Sequence, residues 1–169
     1  MTAPTVSAFT TFPQGPGQAT DNLTGLANNQ TKGLGIVGSA VDAKDYKVGV
    51  VKVTTGTVPG SPSGTGTASL YLAIGEDGTN FTDGLNPNST DGVGQGNLFI
   101  TSQSLGVMLV QRIACPASNT SYLFNAFSVL QKVAYVPTFF GLYVVNNTGA
   151  ALSATAGNFI AGYRLITFN

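Results

Sequence analysis

Cys115 is the one thiol in the chain, and with no histidine anywhere in the sequence it has no imidazole to activate it. A serine or cysteine nucleophile needs an adjacent base or a lowered pKa to react, and no lysine here stands in a Ser-x-x-Lys or Gly-x-Ser-x-Gly setting. The carboxylates gather in one stretch, Glu76, Asp77, Asp83 and Asp91, with Asn80, Asn86 and Asn88 among them. A hard cation would need about six oxygens converging on one point, and the EF-hand spacing is missing. Glu76-Asp77-Gly78 and Asp83-Gly84 instead read as turn signals, where Asp bonds its own backbone and Gly takes positive φ. A glycosidase would require two of these carboxylates held across a cleft, which a turn-rich stretch does not provide.

Gly33-Leu34-Gly35-Ile36-Val37-Gly38 matches the dinucleotide fingerprint GxGxxG, whose glycines let a pyrophosphate approach a helix N-terminus. Its context is wrong. The preceding Asn28 to Lys32 is no strand, no helix pattern follows, and about 20 residues on stand Val58 and Pro59 rather than an acid. A glycine-punctuated strand explains the motif better. The inventory therefore predicts a protein that is not an enzyme and carries neither cofactor nor metal.

The elements that must position any site are short and β-like. From Gly33 onward, apolar runs are cut by Gly, Pro, Asn and Asp, and strands are expected over Leu34 to Val41, Tyr46 to Thr54, Thr67 to Ile74, Asn97 to Thr101, Leu105 to Ala114, Ser121 to Val133, Thr138 to Asn146 and Asn158 to Phe168. The third alternates cleanly, with Ala68, Leu70, Leu72 and Ile74 on one face and Ser69, Tyr71 and Ala73 on the other. Ser121 to Val133 also carries a helical stripe of Leu123, Ala126, Phe127 and Leu130 behind a possible Asn119 cap; its β neighbours and the extended break before Pro137 favour a strand. Eight such strands fit an all-β fold, an antiparallel β-sandwich or jelly roll.

Residues 1–32 form a different texture, with Pro4, Pro13 and Pro16 and single apolar residues at no regular period. They read either as a disordered tail or, as expected here, as an extended N-terminal arm ahead of a sandwich domain at 33–169, with Phe9, Phe12, Leu23 and Leu26 reserved for a neighbouring molecule because aromatic residues are wasted in a solvated tail. Two late strands are apolar on both faces: Phe140, Leu142 and Val144 alternate with Phe139, Tyr143 and Val145, and Ile160, Ile166 and Phe168 alternate with Phe159, Tyr163 and Leu165. A sandwich strand needs only one apolar face, so Phe139, Tyr143, Phe159 and Tyr163 are candidates for a surface covered by a sister subunit or by a loop of the same chain.

Composition points the same way. Seven acidic and seven basic residues make only 8% of the chain charged, against about 25% in an ordinary soluble domain, and the net charge is zero. Near-zero charge favours association over dispersal. Lys44, Lys47 and Lys52 are offset by Asp42 and Asp45, so nucleic acid is not an expected partner. No apolar run approaches the roughly 20 residues of a membrane helix, and neither a signal peptide nor a membrane partner is expected.

Leu70-Tyr71-Leu72-Ala73-Ile74-Gly75-Glu76-Asp77-Gly78-Thr79-Asn80-Phe81-Thr82-Asp83-Gly84 resembles the strand, DGTN-aromatic, DG element of small structural proteins of tailed bacteriophages. Tyr122 to Val129 and the hairpin Leu142-Tyr143-Val144-Val145-Asn146-Asn147-Thr148-Gly149-Ala150-Ala151-Leu152 resemble the C-terminal half of that group. The resemblance implies a β-sandwich virion component, foremost a capsid decoration (cement) protein on the capsid surface, made in the host bacterial cytoplasm. Its implied partners are the major capsid protein and itself, as a homotrimer. It leaves open a tail, baseplate or fibre position with a receptor- or glycan-binding role, for which loop residues from Phe81 to Asn97 would serve.

Overall fold

The computed structural model of the chain describes residues 5–12, 23–38, 45–56, 66–75, 107–155 and 158–167. Among these residues, ten strands and one short helix follow in order: β1 (Thr5–Val6), β2 (Thr10–Thr11), β3 (Gln30–Gly38), β4 (Asp45–Thr54), β5 (Thr67–Gly75), β6 (Val107–Ala114), β7 (Ser121–Phe124), β8 (Phe127–Ser128), α1 (Val129–Val133), β9 (Phe139–Asn147) and β10 (Ile160–Thr167). They build two antiparallel sheets. One runs β1-β10-β4-β7, with β2 also on β10 and β8 also on β4; the other runs β3-β9-β5-β6. Their inner faces enclose one core that includes Leu34, Tyr46, Val48, Val51, Leu70, Leu72, Phe140, Leu142 and Val144, so the all-β sandwich read from the sequence is the fold observed.

Strand β5 shows how alternation becomes architecture. Ala68, Leu70 and Leu72 enter the main core, whereas Tyr71 and Ala73 join a second cluster with Tyr143 and Val145 on the opposite face of the sheet. Tyr71 and Tyr143 stand directly opposite one another across β5 and β9. Both faces of β5 and β9 are thus buried, which is why β9 carries apolar residues on both of its faces.

The glycine motif lies inside β3, where the register to β9 shifts between Gly33 and Ile36 and Gly35 sits at φ 113°. Only glycine adopts that conformation without strain, so the motif is a β-bulge.

The stretch expected as one strand over Ser121 to Val133 is broken into β7, β8 and α1. The reason is a cap: Ser128 Oγ accepts from Gln131 N, and Asp45, 85 residues away in sequence, accepts from Leu130 N at 2.9 Å and from the Ser128 hydroxyl at 2.6 Å. The helix ends at Ala134, in the left-handed conformation. Asn119 is not the cap; it takes a positive φ of 51° in the preceding turn. The expected strand at Asn97 to Thr101 and the acidic stretch 76–91 lie outside the described residues.

The arm does not end where the sequence suggested. β3 begins at Gln30, so residue 32 is no boundary. β1 and β2 pair with β10 of the same chain, through Thr5 opposite Thr167 and Thr10 opposite Tyr163, and Phe12 N donates to Ala161 O.

Candidate interaction surface

The eight residues expected at interfaces separate into inner and outer sets. Phe12, Leu23 and Leu26 belong to the chain's own core. Phe12 is 3% exposed, with its ring edge-on to Phe140 at 6.0 Å and to Tyr163 at 5.4 Å. The expectation that these three contact a neighbour is corrected: in the folded chain they plug the sandwich, where burial returns more than a solvated tail could. Tyr163 of β10 and Phe159, just before it, also pack against the main core and so do not form an outer face. Tyr163 stacks among Phe12, Tyr46 and Phe140, and burial raises its phenol pKa, with Tyr46 alongside adding to the rise.

Phe139 and Tyr143 do occupy the outer face of β9, but that face is covered within the single chain. Tyr143 is 6% exposed, Val145 is buried and Phe139 is half-buried against them. Burial holds the Tyr143 phenol far above its ordinary pKa, and its hydroxyl has no hydrogen-bond partner among the described residues.

The polar side chains with the most neighbours are committed to structure. Asn146, fully buried, donates from Nδ2 to Leu26 O at 2.8 Å and Ala150 O at 2.7 Å, while its Oδ1 accepts from Thr148 N and Thr148 Oγ1. Asn28 Oδ1 accepts from Gly149 N, so the NNTG hairpin is the staple that ties 26–29 to β9. Asn146 thus satisfies every polar group of its side chain. Cys115 is buried and burial raises its thiol pKa, the reverse of what a nucleophile needs. Asp45 spends both oxygens on Tyr46 N, Ser128 and Leu130 N. Among the described residues, no group of three His, Cys, Asp or Glu side chains converges to hold a metal.

Exposed apolar residues lie on β6 (Met108, Leu109), at Tyr135 and on the outer face of the β10-β4-β7 sheet, where they are ordered in rows. Ile160, Lys52 and Leu123 lie in register across three strands, with Ile160 41% and Leu123 62% exposed. In the next row Phe9, 38% exposed, lays its ring over Gly162 and Gly49. A Cβ at Gly162 would collide with that ring, so glycine there makes the seat for the arm's aromatic residue. Arg164, Lys47 and Ser128 form a third row. Arg164 also donates to Ser7 O.

No protein-family model, characterised protein or solved structure matches the chain.

The sequence missed this face. Leu123 and Ile160 sit in segments apolar enough to read as core, and only the register across β10, β4 and β7 reveals that both point outward beside Lys52. Of the interface candidates, Phe9 alone is among the exposed large apolar residues. Its seat was marked by Gly162 between Ala161 and Tyr163, a glycine inside a strand.

Proposed function

We propose that the chain is a structural protein of a tailed-phage virion, a capsid decoration protein that binds between capsid subunits and stabilises the shell without catalysis. The observation that carries the reading is the ordered outer face of the β10-β4-β7 sheet, where Phe9, Ile160 and Leu123 stay exposed in adjacent rows, beside the exposed Met108 and Leu109 on β6 of the other sheet. Three large apolar side chains, with Lys52 between Ile160 and Leu123 and with Lys47 and Arg164 along one side, give the mixed apolar and polar surface of a protein interface. The phage-like strings 70–84, 122–129 and 142–152 support the same reading, and the hairpin string folds here into the Asn146 staple that holds the body rigid.

A decoration protein acts by mass action: it binds the assembled lattice better than free subunits, so occupancy raises the lattice's stability. The test is to add the purified chain to shells stripped of it and to follow shell melting. The reading expects saturable binding with a raised melting temperature, and weakened binding by Leu123→Asp. Binding confined to tails would move the chain to the tail alternative, and absence of binding to either would reject both.

A further inference from the structure

We propose that the edge of β10 opposite β4 is a strand-acceptor site, and that residues 5–12 of a second copy of this chain occupy it when copies are packed together, each arm exchanged for its neighbour's. The inference goes beyond the capsid reading and does not depend on it. The arm is held as a docked peptide is held, by main-chain bonds along an edge and by side-chain seats. Among the described residues, β1 and β2 pair with no strand but β10. Ser7 N donates to Leu165 O, Phe12 N to Ala161 O, and Arg164 Nη1 to Ser7 O. Two rings fill the seats: Phe9 lies over Gly162 and Gly49, and Phe12 enters a box of Phe140 and Tyr163. The box is built by the body itself, because Tyr46 touches Phe140 at 5.0 Å and Tyr163 at 6.0 Å, and those two meet at 6.3 Å. Where Thr10 and Thr11 pass Tyr163 and Gly162, the register of β10 to β4 shifts, a β-bulge that sets a bare glycine next to an inward-facing ring.

The acceptor thus belongs wholly to the body, and the donor is joined to it through residues 13–22 alone. The same bonds and the same two seats are therefore available to an arm from either chain, which makes exchange a low-cost route to assembly. The arm residues are core in both cases; exchange changes only whose core they complete. Thr5, Val6, Thr10 and Thr11 are all exposed, so releasing the arm gives up edge bonds and two rings and leaves the rest of the sandwich intact. A β10 edge left bare beside an open aromatic box would be a pairing hazard, and the segment that fits it is the one seated there. A connection as short as ten residues holds the chain's own arm at an effective concentration on the order of a millimolar. Dilute copies accordingly keep their own arms, and copies packed at comparable density exchange them.

Val6 and Ile166 stand directly opposite one another on β1 and β10, a spacing that suits a disulfide. Full-length chain carrying Val6→Cys is mixed with isotope-labelled full-length chain carrying Ile166→Cys in a glutathione buffer, at about 1 mM and about 10 μM, and the cross-links are read by mass spectrometry. The native Cys115 is buried and stays out of the reaction. The expected result is a mixed 6–166 bond that increases with concentration and at about 1 mM exceeds, by about tenfold, the 6–123 bond formed with Leu123→Cys, an exposed site outside the acceptor. A 6–166 bond no more abundant than the 6–123 bond at both concentrations overturns the proposal, because each arm then stays on its own body. A single chain carrying both Val6→Cys and Ile166→Cys should close the bond within itself when dilute. If it closes no 6–166 bond within or between chains, the arm does not occupy the β10 edge and the proposal is overturned as well.

Discussion

Replacing Phe12 by alanine tests whether the N-terminal residues are part of the body or spare surface for a neighbour. The ring is nearly fully buried and touches Phe140 and Tyr163 edge-on. Truncating a buried phenylalanine costs about 3–5 kcal/mol, including the cavity and the lost aromatic pairs. For a chain of this size each kcal/mol moves the melting temperature by about 2–4 °C, so Phe12→Ala should lower it by about 6–20 °C. Phe9→Ala is the control, since that ring is more than a third exposed on its glycine seat and should cost only about 1–2 kcal/mol. Thermal and urea unfolding of the isolated chain measure both. A loss below about 1 kcal/mol for Phe12→Ala would refute the reasoning and return this residue to a neighbour's surface.

Tyr143→Phe should leave stability unchanged or raise it by about 1 kcal/mol, because it removes a buried hydroxyl that has no partner among the described residues. The same residue predicts an alkaline fall. Its phenol stays neutral in the fold but ionises in the unfolded chain, so stability is full below pH 10.0 and declines above it. Urea midpoints between about pH 9 and 11 should fall less steeply in Tyr143→Phe, the remainder coming from Tyr163, which shifts in the same direction. Asn146→Asp should cost about 3 kcal/mol in unfolding experiments, because it sets a carboxylate oxygen against Leu26 O and Ala150 O where Nδ2 now donates. Gly162→Ala should cost about 1–2 kcal/mol by expelling Phe9, and should cost nothing further once Phe9 is alanine; additive losses in that double-mutant cycle would show that the ring does not use the seat.

What the sequence displayed, and what it hid, follows from the range of the interactions. Alternation in β5 and the doubly apolar β9 were legible because a strand's two faces are written at a period of two, and both faces here are buried. The glycines of β3 were legible as strand punctuation once the nucleotide context failed. Phe12, Leu23 and Leu26 were not legible as core, because each is a single plug with no period around it, and its place is fixed only by strands far along the chain. Helix α1 was misread because half of its cap comes from Asp45, on another strand. The exposed face was hidden because Ile160 and Leu123 look like any core residue until β10, β4 and β7 are set in register.

The measurement that bears most directly on the proposed assembly role is the copy number of this chain in purified virions, by quantitative mass spectrometry of separated heads and tails. A decoration protein should be found on heads in a fixed, stoichiometric ratio to the major capsid protein. Absence from heads, with the chain either confined to the tail fraction or missing from the particle, would contradict the account.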